Sequence, residues 1–445
     1  MDIKQFIKTV IATLSTEVGI KALTFITTII IVRNLSAADY GIYSLVISFS
    51  FTLCYLSSVG IPQSIIYFVG KRREEINIIF STTLFLYVFC GITVFVLGSI
   101  FKEYPLHSFL KDVPQEYFLP LLILYSFTLL DTFLLSLVRG LKDFFLFNFR
   151  RLLTPACNLI GITLLIVLSD FSLKSCLLVF LTATIVSAIW TFWKVIPIAF
   201  LWSAIKWQPV NAFLRYGMKS YIQLIVGHFV YQIDIYIIAY LLGAKQVAFY
   251  NIAVGIASLL WFLPDTIGLV LFPTLASVQD DAEIHSFTAR ICRNSLIIVG
   301  LAALLLGFMG KYLIQLFYGT QYLQSLHAML LILPGIVGMS IYKILARNFS
   351  SRNRQQISIF AGAISLIMNI VLNFLWIPRY GIEGAAFAST VSYCLAGMIL
   401  LMKTKSESGL PLGKFLLIET QDIGAYGELF SKFCKRFSKT AVQPK

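Results

Sequence analysis

Charge is what this chain lacks most. Asp, Glu, Lys and Arg make up 13% of its 445 residues, about half the roughly 25% of an ordinary soluble domain. Apolar residues reach 58% and the mean hydropathy is +0.85. A core shielded from water cannot absorb that surplus. Apolar stretches also recur along nearly the whole length at the ~20 residues a bilayer core demands, so lipid is the solvent for most of the chain.

Other absences narrow the function. The seven cysteines include no CxxC pair, and no His or Cys cluster has metal-ligand spacing, so neither a disulfide framework nor a metal site is expected. No P-loop is present, which argues against an ATPase. The longest external loop, from about 101 to 117, is too short for a catalytic domain outside the membrane. No enzyme and no cofactor are expected. The apolar run that begins near residue 10 is too long, and too polar in its middle, for a signal peptide, and is read as a retained first span.

What is present is a series of apolar runs bounded by charges and turn residues. They place spans near 10–32, 41–68, 76–100, 117–138, 152–168 and 175–200, then 217–242, 247–275, 294–316, 323–346, 356–377 and 384–402. The expected fold is all-α: a polytopic membrane protein of about twelve transmembrane helices. Most of the 35 Lys and Arg fall on the side of the N-terminus, and the positive-inside rule then puts both termini in the cytoplasm. The net charge of +14 needs no nucleic acid. Lys71, Arg72, Arg73, Arg150 and Arg151 read as cytoplasmic loop residues facing an anionic leaflet, where each gains about 1 kcal/mol. In the tail, Phe430, Phe433, Cys434 and Phe437 share one helical face, the pattern of a helix lying on the membrane surface; a frayed tail fits equally.

Two stretches look repeated. Tyr43-Ser44-Leu45-Val46 and Tyr250-Asn251-Ile252-Ala253 open spans two and eight, and Leu137-Val138-Arg139 and Leu345-Ala346-Arg347 close spans four and ten. The near-constant offset divides the chain into a six-helix lobe over 1–206, a second over 207–405 and a basic cytoplasmic tail over 406–445, with a joint at 201–216. Chance similarity between apolar helices is the competing reading. Parallel repeats of this kind place a substrate path at their interface.

Charges at bilayer depth are costly and mark function by default. In span one, Thr13, Glu17, Lys21, Thr24 and Thr28 stack on one helical face. Glu17 and Lys21 stand four apart, as an intrahelical ion pair that is either functional or structural. Lys21 is the deepest cation in this reading. In span seven, Ser220, Gln223, Gly227, Tyr231 and Asp234 share a face, with His228 beside them. His228 has no second ligand at useful spacing and is either a hydrogen-bonding packer or, with Asp234, a proton carrier. Asp131 and Asp265 sit nearer span ends, and Pro264 and Pro273 are expected to kink span eight.

Three segments resemble the Wzx-type polysaccharide (O-antigen) flippases of the MOP superfamily, which also contains the MATE exporters: IIIVRNLSAADYGIYSLVIS at 29–48, DIYIIAYLLGAKQVAFYNIAV at 234–254 and IPRYGIEGAAFAST at 377–390. The resemblance implies two six-helix lobes in the bacterial inner membrane. These would carry an undecaprenyl-diphosphate-linked oligosaccharide to the external leaflet, with glycan polymerase machinery as a further partner. On that reading Lys21, Arg139, Lys219, Arg347, Gln223 and Tyr231 bind substrate, and Glu17, Asp234 and His228 couple a proton or a monovalent cation. The runner-up is a MATE-like antiporter for organic cations with an acidic pocket built from Glu17, Asp131 and Asp234; a membrane scaffold for glycan assembly is a third.

Overall fold

A computed structural model describes residues 3–71, 75–199, 207–276 and 280–419, and among these no strand occurs. The helices are α1 (Ile3–Asn34), α2 (Ala37–Ser57), α3 (Ile61–Lys71), α4 (Ile76–Phe101), α5 (Glu103–His107), α6 (Phe118–Gly140), α7 (Phe144–Val167), α8 (Leu173–Ala199), α9 (Trp207–Leu242), α10 (Ala244–Ser258), α11 (Phe262–Ala276), α12 (Asp281–Phe317), α13 (Ser325–Ser351), α14 (Gln355–Ser408) and α15 (Gly413–Leu416).

Among the described residues, eleven helical stretches are long and apolar enough to cross a membrane. The longest, α14, has 54 residues and breaks at Gly381, whose φ of 59° and ψ of −141° are not helical. Pro378 lies just before the break. Counting its two arms separately gives the twelve crossings expected.

Local chemistry sets several boundaries. Ser36 caps α2, its hydroxyl accepting from Asp39 N at 3.1 Å and donating to the Asp39 carboxylate at 2.7 Å. Asp143 caps α7 by accepting from Leu146 N at 2.9 Å. Expected span two is in fact two helices, because Val59 and Gly60 adopt positive φ (45° and 71°) and turn the chain between α2 and α3. Span eight is interrupted by a 3₁₀ turn at Leu259–Trp261, just before Pro264.

The chain packs as two compact units. The first comprises Met1–Val254, Lys311–Met329 and Leu366–Ala388; the second comprises Gly255–Gly310, Leu330–Ser365 and Ser389–Lys445. In the first unit α6 is central. Tyr125, Leu129, Phe133 and Leu137 recur every four residues, each buried, against Ile61 and Ile65 of α3, Phe80 of α4 and Phe213 of α9. Val88, Phe89, Ile92 and Phe95 of α4 are exposed, as befits a surface whose solvent is hydrocarbon. The second unit is built on Leu271, Leu275, Ile344, Leu345 and Phe349, with Phe415 of the short α15 inserted among them.

Close backbone approach in the first unit depends on glycine. A Cβ at Gly41 of α2 would lie 1.8 Å from the carbonyl oxygen of Ala244, where α10 begins, and one at Gly217 of α9 would lie 2.8 Å from the Gly60 carbonyl. The segment that follows α5 fastens the turn from α9 to α10: Lys111 Nζ donates to Tyr240 O at 2.7 Å, and Asp112 Oδ2 accepts from Ala244 N at 2.6 Å. One carbonyl at the end of α9 and one N–H at the start of α10 are thereby satisfied.

Gly41→Ala is expected to cost about 1–3 kcal/mol through overpacking, read as a lower thermal midpoint of the detergent-purified protein. Gly91→Ala, with no atom within 4 Å of the added methyl, is the control expected to leave the midpoint in place.

Candidate functional site

The site grows from the packing of α1 on α7. These helices run parallel and in register: Asn148 Nδ2 donates to Thr13 Oγ1 at 3.2 Å, and Arg151 Nη1 reaches Glu17 Oε1 at 2.5 Å. Gly19 makes room for Leu152. Glu17 thus finds an interhelical partner, which the reading of an intrahelical pair with Lys21 did not foresee.

One residue earlier on α7, Arg150 is 2% exposed and forms an ion pair with Asp131 of α6. Its Nη1 also donates to Thr154 Oγ1 at 2.7 Å, while its Nε is buried without an acceptor. This corrects the assignment of Arg150 and Arg151 to a cytoplasmic loop. Because Asp143 caps α7, the helix begins at Phe144, and Arg150 stands roughly 10 Å inside it at 1.5 Å per residue. Lys21 is not the sole deep cation.

These residues border a cavity of about 460 Å³ enclosed by α1, α2, α6, α7 and α8, within the 300–1,000 Å³ usual for small-molecule sites. Its two ends differ. Asp131, Arg150 and Arg151 cluster at the end nearest the N-terminus of α1, and beyond them the polar lining is uncharged: threonines of α1, α6, α7 and α8, Tyr40 and Tyr43 of α2, and Asn158 of α7. Asn158 is 7% exposed and its Oδ1 has no hydrogen-bond partner.

A second polar cluster in the same unit centres on α9. Asp234 is 2% exposed; it accepts from Tyr250 Oη at 2.6 Å and from Asn373 Nδ2 at 2.6 Å. Asn373 Nδ2 lies 2.8 Å from Asn369 Oδ1 as well, and Asn373 Oδ1 is buried without a partner. His228 hydrogen-bonds Thr52 at 2.8 Å and stacks on Tyr55 with ring centres 4.4 Å apart, the behaviour of a packing histidine. Asp234 therefore sits in a buried knot rather than on the wet face expected of span seven.

Residues 6–279, more than half of the chain, match the model of the family described as Polysaccharide biosynthesis protein. The chain belongs to that family. Its similarities extend to a protein of Shigella flexneri named "Putative O-antigen transporter", 21% identical over 388 residues that cover 83% of this chain and 90% of the relative. Two solved structures share the fold. One is the lipid II flippase MurJ in an inward closed conformation, with a TM-score of 0.77, 17% identity and coverage of 92% of this chain and 89% of that one. The other is an inward-facing MATE family multidrug resistance transporter of the MOP superfamily, with a TM-score of 0.72, 13% identity and coverage of 90% and 98%.

In this polysaccharide biosynthesis protein the residues singled out from sequence are dispersed. Glu17 and Lys21 flank the charged end of the cavity on α1, next to the lining residues Ile20 and Thr24. Arg139 is exposed one turn beyond Leu135, which lines the cavity. Gln223 is exposed and Tyr231 half-buried on α9. Arg347 belongs to the second unit, exposed over Gly268, and Asp265 pairs there with Lys343 at 2.7 Å. The side chain of Lys219, the tail pattern around Cys434, Arg72, Arg73 and residues 201–206 of the joint lie outside the described residues. Arg150, Arg151 and Asn158 escaped the sequence reading, although Asp143 was an available helix-start signal.

Asp131→Asn and Arg150→Gln should each destabilise the protein by about 3–5 kcal/mol, because each strands a buried charge. The double variant should lose less than the sum of the two. Thermal unfolding of the four proteins tests this, and strict additivity would mean that the pair is not coupled.

Proposed function

We propose that this chain is a flippase that moves an undecaprenyl-diphosphate-linked oligosaccharide from the cytoplasmic to the outer leaflet of the bacterial inner membrane by alternating access, with no catalytic step. The observation that carries the reading is the polarity gradient of the cavity. With both termini in the cytoplasm, as the distribution of Lys and Arg favours, the charged end opens towards the cytoplasm, where the lipid-linked glycan is assembled. Lys21, Arg139, Arg150 and Arg151 stand there against the two carboxylates of Glu17 and Asp131. This cationic excess suits a diphosphate, and guanidinium groups match phosphate geometry. The uncharged end offers hydroxyl and amide groups suited to sugars, and the isoprenoid tail stays in lipid. The names of the Shigella relative and of MurJ support the same class of cargo.

Two six-helix lobes, 1–206 and 207–405, remain our proposal for the moving parts, with Lys219, Arg347, Gln223 and Tyr231 as outlying substrate contacts. Asp234 is the favoured ion-coupling group, because a proton or monovalent cation at that carboxylate would alter its bonds to Tyr250 and Asn373. Glu17 and His228 are secondary candidates, being engaged by Arg151 and by Thr52. Glycan polymerase machinery is the expected partner downstream. A cation antiporter would need carboxylates in excess, and in this cavity each carboxylate already faces an arginine.

In a strain with this protein as its sole flippase, Lys21→Gln and Asp234→Asn are each expected to lower surface glycan by about tenfold or more, equivalent to ~1.4 kcal/mol, at unchanged membrane abundance. Drug susceptibility of the deletion strain should match that of the parent. Normal glycan export by both variants would refute the site assignment.

A further inference from the structure

The short α5 and the residues after it build a separate hollow, of about 780 Å³, against the end of α9 and the first arm of α14. All of these stretches belong to the first unit. Five aromatic rings line the hollow: Tyr104 and Phe109 from the α5 segment, Tyr236 and Tyr240 of α9, and Phe374 of α14. Its floor is fixed. The ring of Phe109 packs on those of Phe49 and Tyr236, with centres 5.3 and 5.5 Å apart, and the next residue, Leu110, is wholly buried. Lys111 and Asp112 then bolt the segment to the turn after α9 through their bonds to Tyr240 O and Ala244 N. Its rim is open: Tyr104, Tyr240 and Phe374 are 76%, 49% and 50% exposed. There Glu103 Oε2 meets His107 Nε2 at 3.2 Å, both side chains exposed. An exposed pair of this kind contributes little to stability, so the carboxylate is free to exchange it for another partner.

The hollow stands at the end of the first unit away from Arg150. Its segment leads into α6 at Phe118, and Asp131 lies thirteen residues further along that helix, about 20 Å at helical rise. On the topology favoured by Lys and Arg, the hollow faces outward. Aromatic residues at a bilayer edge often serve as anchors in the headgroup layer. Anchoring does not require rings from three stretches of chain to converge on one hollow, nor a carboxylate and an imidazole at its lip. That combination matches the chemistry of a pyranose. Its C–H face is apolar and stacks on an aromatic ring, and its hydroxyls can donate to a carboxylate, which only accepts. Apolar walls with a few placed polar groups are also the general form of small-molecule sites. We infer that this hollow is an outward-facing glycan site, which receives the sugars of the lipid-linked oligosaccharide after they cross the bilayer. Tyr104, Tyr240 and Phe374 stack on sugar faces, and Glu103 accepts from sugar hydroxyls. The inference rests on the flippase reading and adds to it a site distinct from the charged cavity.

The probe is the lipid-linked oligosaccharide that a strain lacking this protein should accumulate, cut from its diphosphate by mild acid to give the free oligosaccharide. Its binding to the full-length protein in lipid nanodiscs is read by a saturation-transfer NMR titration. The wild-type protein is expected to bind it, with the strongest transfer to the C–H protons of the sugar rings. Tyr104→Ala and Tyr240→Ala should each weaken binding about fivefold, and Glu103→Gln about threefold. Tyr104→Phe and Tyr240→Phe, which keep the rings, should stay within about twofold of the wild type. Thermal midpoints should stay in place, because these side chains are exposed. Absence of binding, or equal binding by the wild type, Tyr104→Ala, Tyr240→Ala and Glu103→Gln, overturns the inference, while the accumulated lipid-linked oligosaccharide still supports the flippase reading. A deletion strain that accumulates none overturns both.

Discussion

A charge removed from water must find its counter-charge inside the protein, and the first unit is organised around that requirement. Asp131 and Arg150 are the residues for which it is strictest: Arg150 is almost fully buried, and neither group has solvent enough to stand alone. The ion pair joins α6 to α7 about two helical turns in from the short turn between them. The adjacent pair, Arg151 with Glu17, joins α7 to α1. Three helices that share little sequence pattern are thus held at one depth by two consecutive arginines. Hydrophobic burial does not supply such specificity between helices in lipid, because the surrounding acyl chains are as apolar as the core.

The same requirement shapes the cavity. Helical threonines in an apolar medium satisfy their own hydrogens by donating to the preceding turn, and the four that line the far end do so. Their oxygens keep lone pairs for the cavity, beside the phenol groups of Tyr40 and Tyr43. The charged end faces the opposite demand, since guanidinium groups have only hydrogens to offer, and Arg150 Nε remains buried without an acceptor. One cavity is therefore charged at one end and lined by neutral hydroxyl and amide groups at the other, an asymmetry that follows from how each residue type solves its local problem.

Much of this was legible beforehand, for reasons that can be traced. The spans could be read because bilayer thickness imposes a length and an apolar composition, and the structure returns twelve crossings once α14 is divided at Gly381. What failed was finer than composition. Arg150 and Arg151 look like loop residues when a boundary is drawn by hydropathy alone; only the cap Asp143 shows that the helix has already begun, and only tertiary structure supplies Asp131 as the partner. The break at Val59 and Gly60 was missed although Ser57, Ser58, Gly60 and Pro62 surround it, because none of them is charged and hydropathy runs the stretch together. Asp234 was singled out correctly as unusual but given a wet face, since periodicity places a residue on a side of its helix without saying what covers that side.

That covering gives Asp234 its interest. An ionised carboxylate can be kept in a dry interior only while donors hold it, and Tyr250 and Asn373 do so from α10 and α14. Adding a proton removes the need for one donor and creates a new one, in a knot where Asn373 Oδ1 is a buried acceptor without a partner. Adding a monovalent cation would draw on the same oxygen. Either event would change the bonds by which α9 is tied to α10 and α14. A change of that kind is the differential interaction a ligand must have if it is to shift a conformational equilibrium. A carboxylate with a free water contact would have no such leverage, because solvent would absorb the change. Burial, which at first sight argues against a role in transport, is therefore the condition under which Asp234 would couple an ion to movement, as we propose.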